Sequence, residues 1–191
     1  LILEDFGGQS LAKYLAGHPL SVEDFFNIGI TFAEILNQLH QIPIIHKDIK
    51  PSNIIIHPET KEVKLTDFNI ATRLPFEYPS LSHPNVMAGT FAYMSPEQTG
   101  RMNRYLDHRS DLYSLGVTFY EMLTGRLPYI STDPLELIHS HLAQDPIPPH
   151  QLSSKIPLGV SYLVLKLLAK EAADRYQTAE GLKFDLESCL D

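Results

Sequence analysis

The chain has 191 residues, 43% hydrophobic and 20% charged, enough apolar material for one buried core and ordinary for a globular domain. Its formal net charge of -8 excludes a general nucleic-acid or membrane-surface binder, which needs a basic face, while leaving room for a local basic pocket. No apolar run reaches the length of a membrane span, and the single cysteine, Cys189, excludes an internal disulfide and a cysteine-based metal site and suits a reducing cytoplasm.

In chain order, "SLAKYLAG" (Ser10 to Gly17) predicts a short helix with Ser as N-cap and Gly at its end. "SVEDFFNIGITFAEILNQLHQ" (Ser21 to Gln41) predicts a longer one. Phe25, Ile28, Phe32, Ile35, Leu36 and Leu39 recur at helical spacing, Ser21 can cap the start, and Glu23 and Asp24 suit the positive end of the dipole. The β-branched run Ile54 to Ile56, the turn "PETK" and the return Val63 to Thr66 predict a hairpin. Arg73 to Ala88 is rich in Pro and Ser without a period and reads as an exposed loop. Four helices are expected further on: Arg109 to Gly125, Asp133 to Gln144, Leu158 to Lys170 and Thr178 to Leu190. Leu115, Val117, Phe119 and Met122 lie on several faces of the first, which predicts a centrally buried helix. The Pro-rich Asp145 to Leu152 reads as a connection, and the whole as mainly α with one small hairpin.

The chemistry concentrates around the hairpin. Folding it about "PETK" makes paired residue numbers sum to roughly 120, which puts Asn53 next to Asp67. Both offer oxygen to one hard cation, and Mg²⁺ suits them because it takes few protein carboxylates and completes its shell with phosphate oxygens and water. Asp48 and Lys50 lie just before, the first able to accept or orient a hydroxyl proton, the second able to offset charge on a phosphoryl group in transfer. An isolated Asp or Lys in a loop is usually a solvated turn residue; the run "HKDIKPSN" followed by "DFN" is a much more specific signal.

With these motifs the chain resembles the eukaryotic-type protein kinase family. "HKDIKPSN" is similar to the catalytic loop, "DFN" to the metal-binding triplet, and "GTFAYMSPEQ" (Gly89 to Gln98) to the end of the activation segment. "DLYSLGVTFYEMLTGRLPY" (Asp111 to Tyr129) is similar to the central helix and "DRYQT" (Asp174 to Thr178) to the late Arg-bearing motif. "SPEQTGRMNR" and "AADRYQTAEGLKFDLESCL" further resemble the kinase domain of large bacterial signalling proteins that also carry ATPase and sensor histidine kinase modules.

The resemblance implies the large, helical C-terminal lobe of the kinase fold: residues 1–8 as hinge and end of a small lobe, and 9–191 as the lobe itself. Within it, 46–53 is the catalytic loop and 67–97 the activation segment. It implies a Ser/Thr protein kinase using ATP and Mg²⁺, with Asp48 as base or hydroxyl positioner, Lys50 on the transferring phosphate, and Asn53 and Asp67 on the metal. Thr90 would help dock the substrate segment. Leu3, Glu4 and Phe6 would face the adenine from the hinge and Ile55 from below. His46 and Phe68 would stack behind the site, anchored by Asp111, and Glu97 would pair with Arg175. The implied partners are a protein substrate and neighbouring domains of the same chain.

The Gly-rich loop, strand lysine and small-lobe glutamate of the family are not in this sequence, so it reads as a fragment expected to be inactive alone. Lys47 stands where many kinases have Arg, and offers a point charge instead of a fork, which leaves open control by phosphorylation at Ser80 or Ser82. Asn69 stands where Gly is usual, and Asn tolerates positive φ better than other side chains. Two alternatives stand beside the kinase reading. A pseudokinase module is opposed by the retained Asp48, Lys50, Asn53 and Asp67, and a small-molecule phosphotransferase by the "GTFAYMSPE" segment.

Overall fold

In the computed structural model, residues 7–73, 91–101 and 104–190 are described. The amphipathic spacing after Ser21 produces helix α2, Val22–Gln41, with the Ser21 hydroxyl accepting from Asp24 N–H at 3.0 Å. Phe25, Phe26, Ile28, Phe32, Ala33 and Leu36 are its buried face; Ile35 and Leu39 are only partly buried. Before it lies α1, Leu11–Leu15, whose Ser10 cap accepts from Lys13 N–H at 3.3 Å.

The small sheet has order β1-β2-β3, with β1 at Gln9–Ser10, β2 at Ile54–Ile56 and β3 at Val63–Leu65, all antiparallel. The predicted hairpin is thus present, with an added edge strand too short to leave a sequence period. Ile54 faces Leu65, Ile55 faces Lys64 and Ile56 faces Val63, so Asn53 stands opposite Thr66 and one position short of Asp67. Thr66 continues the ladder, with its N–H and Oγ1 both donating to the Asn53 carbonyl, at 2.9 and 3.0 Å.

The rest is helical: α3 at Arg109–Thr124, α4 at Pro134–Ala143, α5 at Pro149–Leu152, α6 at Leu158–Leu167 and α7 at Ala179–Ser188. As its all-round apolar pattern predicts, α3 is the centre of the core: Leu115, Val117 and Phe119 are inaccessible to solvent and Met122 nearly so. Gly116 lets α6 approach, since a Cβ there would meet Leu167 Cβ at 2.7 Å. On the other side α2 rests on α3 and α7, with Gly29 against Phe119 and Leu186. The Pro-rich connection contains one helical turn, α5. It begins at Pro149, where a missing N–H removes no helical bond, and His150 Nδ1 lies 2.8 Å from Ser161 Oγ of α6.

Among the described residues, no helix is long and apolar enough to cross a membrane.

Candidate active site

Two pairings bring the candidate residues together. At one end the β2–β3 ladder joins Asn53 to Thr66. At the other, an isolated antiparallel bridge joins Ile45 to Thr72 through reciprocal bonds of 2.9 and 3.0 Å. Residues 46–53 and 66–71 are therefore held side by side.

Asp111, at the start of α3, fixes the first of these segments. Its carboxylate is fully buried; Oδ2 accepts from His46 N–H at 2.9 Å, Oδ1 from Lys47 N–H at 2.8 Å, and His40 Nε2 lies 3.2 Å from Oδ2. Lys47 itself has φ 68°, a left-handed conformation that orients its N–H toward α3 and turns the chain into Asp48. The buried His46 ring reads as the Nε2–H tautomer. Nδ1 accepts from Asp48 N–H at 3.3 Å, leaving Nε2 to donate to the Thr66 carbonyl at 3.0 Å. The same ring meets Phe68 edge-on, centroids 4.7 Å apart at 68°, so the expected stack is T-shaped.

Within the loop, Asp48 Oδ2 accepts from Lys50 Nζ at 2.8 Å and from Asn53 Nδ2 at 2.9 Å. Asn53 Nδ2 also donates to the Asp48 carbonyl at 2.9 Å. These two bonds use the amide hydrogens and fix the flip of the side chain. Oδ1, with the Ser52 hydroxyl at 3.4 Å, is left as the acceptor end. Asp67 adopts φ 65°, and its Oδ1 accepts from the Asn69 side-chain amide. The left-handed residue of the triplet is therefore Asp67 and not Asn69, whose side chain is engaged in bonding its neighbour.

The donors available to a metal here are the Asn53 amide oxygen and the Asp67 carboxylate, and among the described residues no group of three or more His, Cys, Asp or Glu is placed to bind a metal. Such hard oxygen donors fit Mg²⁺ and not a soft or borderline ion. Ile55, the candidate adenine contact, is on β2, half-buried between Ser10 and Lys64. Leu3, Glu4, Phe6 and Thr90, and the loop serines Ser80 and Ser82, lie outside the described residues.

The described segment that begins at residue 91 is braced from beneath. Glu97 and Arg175 form the expected pair as a buried fork, Nη1 to Oε1 at 2.7 Å and Nη2 to Oε2 at 2.9 Å. The remaining guanidinium hydrogens go to the carbonyls of Ala169, Arg109 and Lys170 at 2.7, 3.1 and 3.0 Å, so every donor of this buried cation has a partner. Ser110 Oγ adds a 2.6 Å bond to Glu97, and the guanidinium lies 4.8 Å from the Tyr113 ring centre.

Three further interactions were not visible in the sequence: His40 on Asp111, Tyr93 on Glu121, and Gln98 between two segments. Tyr93 OH donates to Glu121 Oε2 at 2.5 Å; burial pushes the Glu121 carboxyl above its usual range, and the Tyr93 bond only partly opposes this. Nothing local in the sequence marks Tyr93 as the partner of Glu121.

The Protein kinase domain family model matches residues 1–185. The chain belongs to the protein kinase family. It is 39% identical over 188 residues to a probable serine/threonine-protein kinase of Clostridium perfringens, covering 98% of this chain and 27% of that protein. It is 40% identical over 187 residues to the serine/threonine-protein kinase PknB of Mycobacterium leprae, covering 97% of this chain and 29% of that protein. A hybrid signal transduction histidine kinase of Dictyostelium discoideum is 35% identical over 88% of this chain, which amounts to 7% of that longer protein. The chain thus spans less than a third of the length of each of these relatives. The kinase family in general uses ATP and Mg²⁺ and acts on protein substrates.

Proposed function

We propose that the protein carrying this chain is a Ser/Thr protein kinase that transfers the γ-phosphoryl group of ATP to protein hydroxyls. The observation that carries this reading is Asp48, whose carboxylate is held between Lys50 Nζ and Asn53 Nδ2 on a loop anchored by Asp111. With Oδ2 occupied by two donors, Oδ1 is the oxygen that orients the acceptor hydroxyl and takes its proton. Lys50 brings positive charge to the same point, where a phosphoryl group would be transferring.

Asn53 Oδ1 and Asp67 would hold Mg²⁺, which when bound offsets the charge of the nucleotide phosphates. Leu3, Glu4, Phe6 and Ile55 are proposed to enclose the adenine, and Thr90 to align the acceptor peptide with Asp48. The domain division proposed is hinge at 1–8 and catalytic lobe at 9–191. Work in the cytoplasm, and signal exchange with other domains of the same protein, are part of this reading; the greater length of the relatives supports the second.

The test is transfer of labelled phosphate from ATP in the presence of Mg²⁺, by the full-length protein bearing this chain, to itself and to a generic acceptor protein. Asp48→Ala is expected to lower kcat about a thousandfold, within the usual range for losing a general base. Label on Ser or Thr that is lost in this variant establishes the activity. ATP binding without Asp48-dependent transfer would replace it with a pseudokinase module.

A further inference from the structure

Gln98 has no part in the reading above, yet its side chain joins two segments that the reading keeps separate. Oε1 accepts from Ser95 N–H at 2.9 Å and from Ser95 Oγ at 3.0 Å. Nε2 donates to the Lys47 carbonyl at 2.8 Å. Ser95 is fully buried, in the "GTFAYMSPE" segment that begins beside Thr90 and that the kinase reading makes the docking segment for the acceptor peptide. The Lys47 carbonyl belongs to the peptide unit that leads directly into Asp48.

The position of that peptide unit matters because Lys47 is in the left-handed region, φ 68°, which disfavours a side-chain-bearing residue and needs outside support. Support comes from two directions. Asp111 Oδ1 holds the Lys47 N–H at 2.8 Å, and Gln98 holds its carbonyl at the same distance. Of these two contacts, the Gln98 one comes from the docking segment. The amide is planar and its ends have opposite polarity, so one group accepts from Ser95 while donating to Lys47. A single rigid group thus links Ser95 to the peptide before Asp48.

We infer that Gln98 is a positioning residue that couples docking of the acceptor peptide to the orientation of Asp48. The functional half of this inference rests on the kinase reading; the mechanical half, that Gln98 holds residues 46–50 in place from the docking segment, does not.

The two ends of the amide can be removed one at a time in the full-length protein. Gln98→Glu still accepts from Ser95 but cannot donate to Lys47. Gln98→Lys still donates to Lys47 but cannot accept from Ser95. Steady-state kinetics with myelin basic protein as acceptor are read beside amide hydrogen exchange and the melting temperature. The Glu variant is expected to lose about tenfold in kcat, with KM for ATP unchanged, because small misplacements of a reacting group are costly. Its amide exchange should rise at residues 46–50 and not elsewhere. The Lys variant is expected to keep exchange at 46–50 near the parent level and to raise KM for the acceptor.

A Glu variant with parental kcat and parental exchange at 46–50 would overturn the inference. So would a rise in exchange spread along the chain with a lowered melting temperature in both variants, since Gln98 would then be a general support. If the parent shows no Asp48-dependent transfer, the kinase reading fails by itself. The exchange pattern of the Glu variant then decides whether Gln98 holds the loop: a rise confined to 46–50 supports it, and no local rise overturns it.

Discussion

Asp111 shows how one buried carboxylate can set the geometry of a site it does not enter. Its oxygens take the N–H groups of His46 and Lys47 and face His40 Nε2. Asp111→Asn keeps the shape but turns one acceptor into a donor, facing either a backbone N–H or the imidazole. The expected loss is about 2 kcal/mol of stability, from removing a charged acceptor bound to a backbone donor. Urea titration measures it, and phosphotransfer should fall further than the stability loss explains. Arg175→Met removes the cation but leaves Glu97 buried with only Ser110 to bond, and is expected to cost about 3–5 kcal/mol in the same assay. Much at this scale was legible in the sequence, because Asp48, Lys50, Asn53 and Asp67 are close along a chain that visibly doubles back. Gln98 and His40 were not. Their partners, Lys47 and Asp111, are brought to them by long-range folding, and a neutral amide or a single histidine carries no local mark of its partner.

The helices were legible for a different reason, their period. Caps at Ser10 and Ser21 fall where the residue types place them. Ser21→Ala is expected to cost about 1 kcal/mol by losing the bond to Asp24 N–H, read as a shift in the urea midpoint. Among the described strands and α-helices, two escaped. β1 has only two residues, fewer than any alternation can reveal, and α5 lies inside a proline-rich stretch where proline is ordinarily a breaker. The predicted C-terminal end of α6 was also too long; the chain leaves the helix after Leu167, three residues before Lys170. The contact between α3 and α6 sets a stricter demand than either helix alone. Gly116→Ala puts a methyl group at 2.7 Å from Leu167 Cβ and is expected to cost about 1–3 kcal/mol, the usual penalty of overpacking. Helix content by circular dichroism should be unchanged while the melting temperature falls.

For the molecule as a whole, α3 and α4 enclose a group that makes stability depend on pH. His141 of α4 is fully buried, with Tyr113 OH 2.9 Å from Nδ1 and the ring of Tyr129 at 5.1 Å. Burial, with the nearby Lys170 charge adding to it, lowers its pKa from 6.5 to about 4. Between those values the unfolded chain binds a proton that the folded chain refuses. Stability is therefore full above pH 6.5 and falls as pH drops toward 4, by at most about 3 kcal/mol from this residue. Urea midpoints at pH 7 and 4.5 should show a smaller difference in His141→Gln than in the parent.

The partnership of α2 with α7 reaches across nearly the whole sequence, and it has a consequence during synthesis. The ribosome makes α2 well before α7, the helix that covers part of its apolar face through contacts such as Gly29 with Leu186. At bacterial or eukaryotic elongation rates of about 5–20 residues per second, that interval is on the order of ten seconds. For that time the nascent chain presents an unfinished hydrophobic surface. Shielding of α2 until α7 arrives is therefore expected to bear on yield in a cell, beside the stability of the finished fold.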